Sequence, residues 1–146
     1  MNRAVSLGGI LGMVFTPKIL LIDDDAQLGA SIRRSFRKYD VDVVVATHGS
    51  QGIADVVAER PDLIITDLQM PYITGEKMIE FLAQNGQLGS TPVIVITGRW
   101  EAKITSRMRR CNVIELLQKP FESEQLIDAV QRVVELELRE ALVETA

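Results

Sequence analysis

Lys18-Ile19-Leu20-Leu21-Ile22-Asp23-Asp24-Asp25 sets four apolar residues in an unbroken run and follows them with three carboxylates. A short run without polar alternation is a strand covered on both faces, which is the habit of parallel sheets. Outward from it, similar runs recur at Val41 to Ala46, Leu63-Ile64-Ile65 and Val93-Ile94-Val95-Ile96. A less pure one follows at Val113-Ile114-Glu115-Leu116-Leu117. Amphipathic stretches separate them. Ala26 to Lys38 places Leu28, Ile32 and Phe36 four apart on one helical face. Ser50 to Glu59 groups Ile53, Val56 and Val57 and is closed by Pro61. Gly75 to Ala83 carries Met78, Ile79 and Leu82 and stops at the turn signal Asn85-Gly86. Trp100 to Arg110 is a basic fourth helix. Glu122 to about Glu140 is the last and longest, with Leu126, Ile127, Val130, Val133 and Val134 on its buried side.

Strict alternation of strand and helix predicts an α/β fold with a parallel sheet, and right-handed crossovers limit its topology. Periodicity alone leaves a Rossmann-like half as a competitor. No G-x-G-x-x-G follows the first run, however; the three aspartates stand there instead. No repeat, low-complexity tract or internal linker divides the chain, so residues 17–140 read as one domain and 141–146 as a tail. Residues 1–16 hold one positive charge, Arg3, and an apolar run from Gly8 to Phe15. That run is too short to span a bilayer, and no small-x-small cleavage site follows it. The segment reads as a flexible leader.

The bulk composition agrees with a globular domain. The chain has 146 residues, 47% hydrophobic and 25% charged, enough for a real core. A net charge of -4 argues against nucleic-acid binding by a generally basic surface. One cysteine, Cys111, excludes an internal disulfide and a thiolate zinc cluster, and favours a cytoplasmic setting.

Ligands of open parallel sheets bind beyond the carboxyl ends of the strands. There the first strand delivers Asp23-Asp24-Asp25, the third Asp67, the fourth Thr97-Gly98 and the fifth Lys119-Pro120-Phe121. Clustered carboxylates repel one another unless a cation sits among them. A hard divalent ion with oxygen ligands, magnesium above all, relieves that repulsion and also binds phosphate. In phosphoryl transfer such an ion neutralises charge while an Asp carboxylate serves as covalent nucleophile. A lysine contacts carboxylate or phosphate oxygen as a compact cation, and a threonine hydroxyl can bond a further oxygen.

At these residues the chain resembles the response-regulator receiver family. The matching stretches are Lys18 to Asp25, Pro61 to Pro71 with Gly75 after it, Pro92-Val93-Ile94-Val95-Ile96-Thr97-Gly98, and Gln118-Lys119-Pro120-Phe121. They run in order across about Pro17 to Arg139. The resemblance implies a flavodoxin-like doubly wound (βα)5 fold with a five-stranded parallel sheet in order 2-1-3-4-5. It implies Asp67 as phosphoacceptor and Asp23 and Asp24 as the acid pair, with Asp24 the direct magnesium ligand and Asp23 acting largely through water. Asp67 and the backbone carbonyl of Gln69 are implied as further ligands. Thr97 is implied as the switch hydroxyl that moves toward the phosphate and Lys119 as the family's invariant-type lysine, before a proline whose bond is cis in the family. The implied partners are a sensor histidine kinase or histidine phosphotransfer protein upstream and an output protein or domain downstream, with homodimer formation as a further route. Neither a membrane nor direct nucleic-acid contact is implied.

Plainer roles exist for several of these residues. Asp25 reads as the N-cap of the first helix rather than a ligand. Asp23, Asp24 and Asp67 read in isolation as caps or loop acids, Thr97 as a β-branched strand end, and Lys119 as a solvated lysine. His48 reads as an exposed loop residue and Cys111 as core filler. Arg99, Lys103, Arg107, Arg109 and Arg110 read either as a solvated face or as part of a partner surface. The chain also departs from the family. Leu116 stands where many receivers carry a swinging aromatic, and Asn112-Val113 replaces the usual Gly-Ala. Two other functions use a similar acid set: a magnesium-dependent aspartyl-phosphate phosphotransferase or phosphatase, which needs a covering cap, and an unphosphorylated pseudo-receiver acting as dimer scaffold. No output domain is visible, so the chain reads as a stand-alone receiver or as the receiver part of something longer.

Overall fold

The apolar runs form the centre of the molecule. In the computed structural model, which describes residues 2–7, 10–99 and 101–139, they become β3 (Lys18–Ile22), β4 (Asp42–Ala46), β5 (Leu63–Asp67), β6 (Val93–Thr97) and β7 (Val113–Gln118). These five pair in parallel in the order β4-β3-β5-β6-β7. Counted from β3, that is 2-1-3-4-5, the order expected. Helices α1 (Ala26–Ser35), α2 (Gly49–Glu59), α3 (Gly75–Gln84), α4 (Ala102–Arg109) and α5 (Ser123–Gln131) make the crossovers.

Alternate strand residues face opposite sides, so each run feeds two cores. Ile19, Leu21, Ile65, Ile94 and Ile96 pack with Ile32 and Phe36 of the α1 region and with Leu126 and Val130 of α5. Leu20, Ile22, Ile64, Val93 and Val95 pack with Val56 of α2, Met78 and Leu82 of α3, and Met108 of α4. Every aliphatic residue of β3, β5 and β6 is buried, and each such side chain contributes about 1.5–3 kcal/mol. A sheet held this firmly fixes where its strand ends fall.

Three expectations change. The leader read as flexible over residues 1–16 carries an antiparallel hairpin, β1 (Asn2–Leu7) and β2 (Ile10–Phe15), in register from Asn2↔Phe15 to Leu7↔Ile10. In the sequence Gly8-Gly9 separates the stretch Asn2 to Leu7 from Ile10 to Phe15, and a Gly-Gly pair in such a place is a two-residue hairpin signal. The last helix stops at Gln131 rather than near Glu140. Beyond it Val133 and Val134 both donate to the Val130 carbonyl, and the chain then turns back toward α1. Asp40 N donates to Glu137 O, Arg139 N donates to Lys38 O, and Tyr39 bridges Leu138. This return packs Val133, Val134 and Leu136 on the first core, so the apolar period continues without a helix. The fourth helix begins at Ala102, while Trp100 and the expected tail 141–146 lie outside the described residues.

Candidate functional site

Three neighbouring strands end at one rim. Asp23 follows β3, and its amide donates to the Ala46 carbonyl at the end of β4. Asp67 is the last residue of β5, opposite Ile96, and Thr97 ends β6, opposite Gln118 of β7. Lys119 comes next in sequence, its amide donating to the Thr97 carbonyl at 2.8 Å. The Lys119–Pro120 peptide bond is cis.

Two of the carboxylates are buried. Asp23 is 0% exposed and Asp67 5%, whereas Asp24 is exposed. One carboxylate oxygen from each of the three lies within 4.8 Å of the others. Lys119 Nζ reaches in between the buried pair, 2.8 Å from Asp67 Oδ2 and 3.2 Å from Asp23 Oδ2. The remaining oxygens are satisfied locally: Asp25 N donates to Asp23 Oδ1 at 2.8 Å and Gln69 N to Asp67 Oδ1 at 2.9 Å. Burial pushes the Asp23 carboxyl above the usual range and the nearby Asp67 charge adds to this, while the Asp25 amide and Lys119 oppose it. Lys119 is held above the ordinary lysine value. Burial opposes its charge, but the hydrogen bond to Asp67 and the charges of Asp23 and Asp67 outweigh that.

A buried carboxylate pair with only one ammonium between them retains excess negative charge. Three oxygen donors at this spacing are the ligand set of a hard divalent cation, and the residues present fit magnesium.

Not every expected residue joins this cluster. Thr97 is 1% exposed, and its hydroxyl donates to the Arg99 carbonyl and accepts from the Arg99 amide. Gln69 contacts the cluster through its amide. Asp25 caps α1, accepting from the amides of Gln27 and Leu28, and so holds Asp23 with its backbone and the helix with its side chain. That double use is written in the Asp-x-Asp spacing as an Asx turn. His48 is exposed and caps α2 through Nδ1, and Cys111 is partly buried beside the second core. Asn112 adopts φ 63°, the left-handed region, and its side-chain Nδ2 donates to the carbonyls of Gly89 and Thr91. Asparagine tolerates that backbone, so the turn survives the replacement of glycine.

A family model for the response regulator receiver domain matches residues 19–131. The chain belongs to that family. It is 33% identical over 114 residues to hybrid signal transduction histidine kinase D of Dictyostelium discoideum, covering 78% of this chain but 7% of that protein. It is 26% identical to protein PilG of Pseudomonas aeruginosa, covering 78% of this chain and 84% of that one. Among solved structures, chemotaxis protein CheY4 of Vibrio cholerae superposes with a TM-score of 0.75 at 25% identity, over 82% of this chain and 100% of that one. The chain spans a quarter or less of the length of several curated relatives. The protein is thus a receiver domain of the two-component kind, a signalling domain by family. Among the described residues no helix is long and apolar enough to cross a membrane.

Proposed function

We propose that this receiver accepts a phosphoryl group on Asp67 from a phosphohistidine and signals through altered contacts with an output protein or domain. The observation that carries the reading is Lys119 Nζ, which joins Asp67 to Asp23 while Asp24 stands exposed within reach of both. An Asp67 carboxylate oxygen attacks phosphorus, the phosphorus–nitrogen bond to the donor histidine breaks, and the imidazole leaves with the electron pair. Lys119 gives up part of its contact with the Asp67 carboxylate to hold a phosphoryl oxygen, and the Thr97 hydroxyl turns from Arg99 toward another. Asp23, Asp24, Asp67 and the Gln69 carbonyl would hold magnesium, which when bound would neutralise charge at the transferring group.

The donor is a sensor histidine kinase or a histidine phosphotransfer protein. Relatives named as histidine kinases and as transcriptional regulators support that pairing of donor and output. The competing enzyme reading requires a cap over the rim, and among the described elements no insertion interrupts the βα alternation. Intact mass after incubation with acetyl phosphate and magnesium tests the proposal. The wild type should gain one phosphate and Asp67→Asn none; equal gain in the variant would remove Asp67 from the role.

A further inference from the structure

At the other end of the sheet the chemistry reverses. Asp42 pairs with Lys18 where the parallel strands begin, away from the rim that holds Asp23 and Asp67. Beside it lies a concave pocket of about 290 Å³ rimmed by Arg33, Arg34, Arg37 and Arg139. Its apolar lining comes from Phe36, Val41 and Val43, and Asp42 is the one carboxylate among its lining residues. None of the four arginines lies within ion-pair distance of a carboxylate among the described residues, whereas Lys18, Arg107, Lys119 and Arg132 all do.

Arg33 and Arg34 alone have a simple explanation, since cations are favoured in the last turn of a helix. Arg37 lies beyond the cap of α1, and Arg139 comes from the far end of the sequence. Arg139 is fixed there by two hydrogen bonds at 2.8 Å, its amide to Lys38 O and its Nε to Arg37 O. The return of the chain after α5 thus adds a fourth guanidinium to three that already repel one another. It leaves the Nη groups of Arg139 unused by either bond.

We propose that this pocket binds a small, multiply charged phosphate. Guanidinium groups match phosphate oxygens in paired hydrogen bonds, and four of them exceed what a single carboxylate would neutralise. The pocket lies near the small end of ligand-site volumes, and the chain is acidic overall, which disfavours a polyanionic macromolecule. Asp42 and the apolar lining suit an organic body carrying a hydroxyl or amino group. Occupancy would tie the segment after α5 to the end of α1.

The test is titration of the full chain with adenosine diphosphate and, separately, inorganic pyrophosphate. Calorimetry and amide-detected NMR read the binding, in about 0.15 M salt and without magnesium, so that the acid rim offers phosphate no metal. Saturable binding is expected, with shifts over residues 33–43 and at Arg139 and none at Asp23 or Asp67. Tighter binding of the nucleotide assigns an organic phosphate; equal affinity assigns the inorganic ion. The double variant Arg37→Gln/Arg139→Gln should weaken binding about ten-fold or more, while the charge-matched Arg109→Gln/Arg110→Gln should not. No saturation at millimolar probe, or equal weakening in both double variants, would overturn the site and leave only solvated arginines.

Discussion

Gly75 and Asp67 touch backbone to backbone. A Cβ on Gly75 would overlap the Asp67 carbonyl oxygen and come within 2.8 Å of Leu68 Cα. The Gly75 amide meanwhile donates to Leu68 O at 2.9 Å. Gly75 does not have a left-handed backbone, so what the position demands is space. The first turn of α3 is therefore a direct support for the proposed phosphoacceptor.

Gly75→Ala should lower stability by about 1–3 kcal/mol, the range for inserting a methyl into a packed site. It should also slow phosphorylation from acetyl phosphate by more than the unfolded fraction explains, because the clash moves Asp67 itself. Thermal melts alongside the rate of mass gain measure both. A variant that melts lower yet phosphorylates at the wild-type rate would show that the loop gives way elsewhere.

Magnesium should raise the melting temperature of the wild type, since it binds the folded acid cluster better than dispersed carboxylates. At a hundred times its Kd the gain is about 2.7 kcal/mol. Asp24 is exposed, so Asp24→Asn should leave metal-free stability within about 0.5 kcal/mol or slightly improved. The same variant should lose most of the magnesium-induced rise. An equal rise in both proteins would place the ion elsewhere.

Lys119→Met should be costly without metal. It leaves Asp23 and Asp67 buried and facing each other without their cation, a loss of about 3 kcal/mol near neutral pH. The deficit should shrink as pH falls. Asp23 already has a raised pKa in the folded protein, and losing Lys119 raises it further. A carboxyl that holds its proton more tightly when folded stabilises below its unfolded pKa, and this stabilisation is lost as pH rises through the folded one. Denaturant melts from about pH 4 to 7 read the difference from wild type. A deficit that stays constant across that window would mean the lysine acts by packing rather than charge.

The sheet was legible because its strands are buried on both faces, so Leu20 to Ile22 and Val93 to Ile96 show no alternation to confuse with an amphipathic helix. The site followed from it, since Asp23, Asp67, Thr97 and Lys119 all fall at or just beyond strand ends. The bridging of two buried carboxylates by Lys119 Nζ was not legible, because nothing local in Gln118-Lys119-Pro120 fixes the direction of its side chain. Nor was the end of α5. Val133 and Val134 continue the helical period, and only contacts with Tyr39 and Asp40, distant in sequence, turn the chain aside. The arginine pocket was hidden for the same reason, as Arg139 reaches Arg37 only through that return.

Without the swinging ring, a signal from Asp67 should leave the domain by the loop after β6 rather than by β7. Leu116 is half-buried and packs against the second core, on the α4 side of the sheet, so no aromatic at that position waits to fill space vacated by Thr97. A cavity of about 370 Å³ already lies beside Thr97, bounded by Leu68, Met70, Arg99 and Ile104. Arg107 ties α4 to Glu76 and Glu80 of α3. If Thr97 moves toward a phosphate it should break its bonds to Arg99, and that loop and cavity should absorb the motion before it reaches β7. Among the described residues α5 ends at Gln131, so the long last helix expected to Glu140 is not there to carry the change. Amide exchange with and without beryllium fluoride and magnesium should show protection near Asp67, Met70 and Thr97, with altered exchange around Arg99 and the start of α4. Val113 to Leu117 should change little. Large protection across that strand would sink the idea, since repacking of leucine alone would then be carrying the switch to the sheet edge.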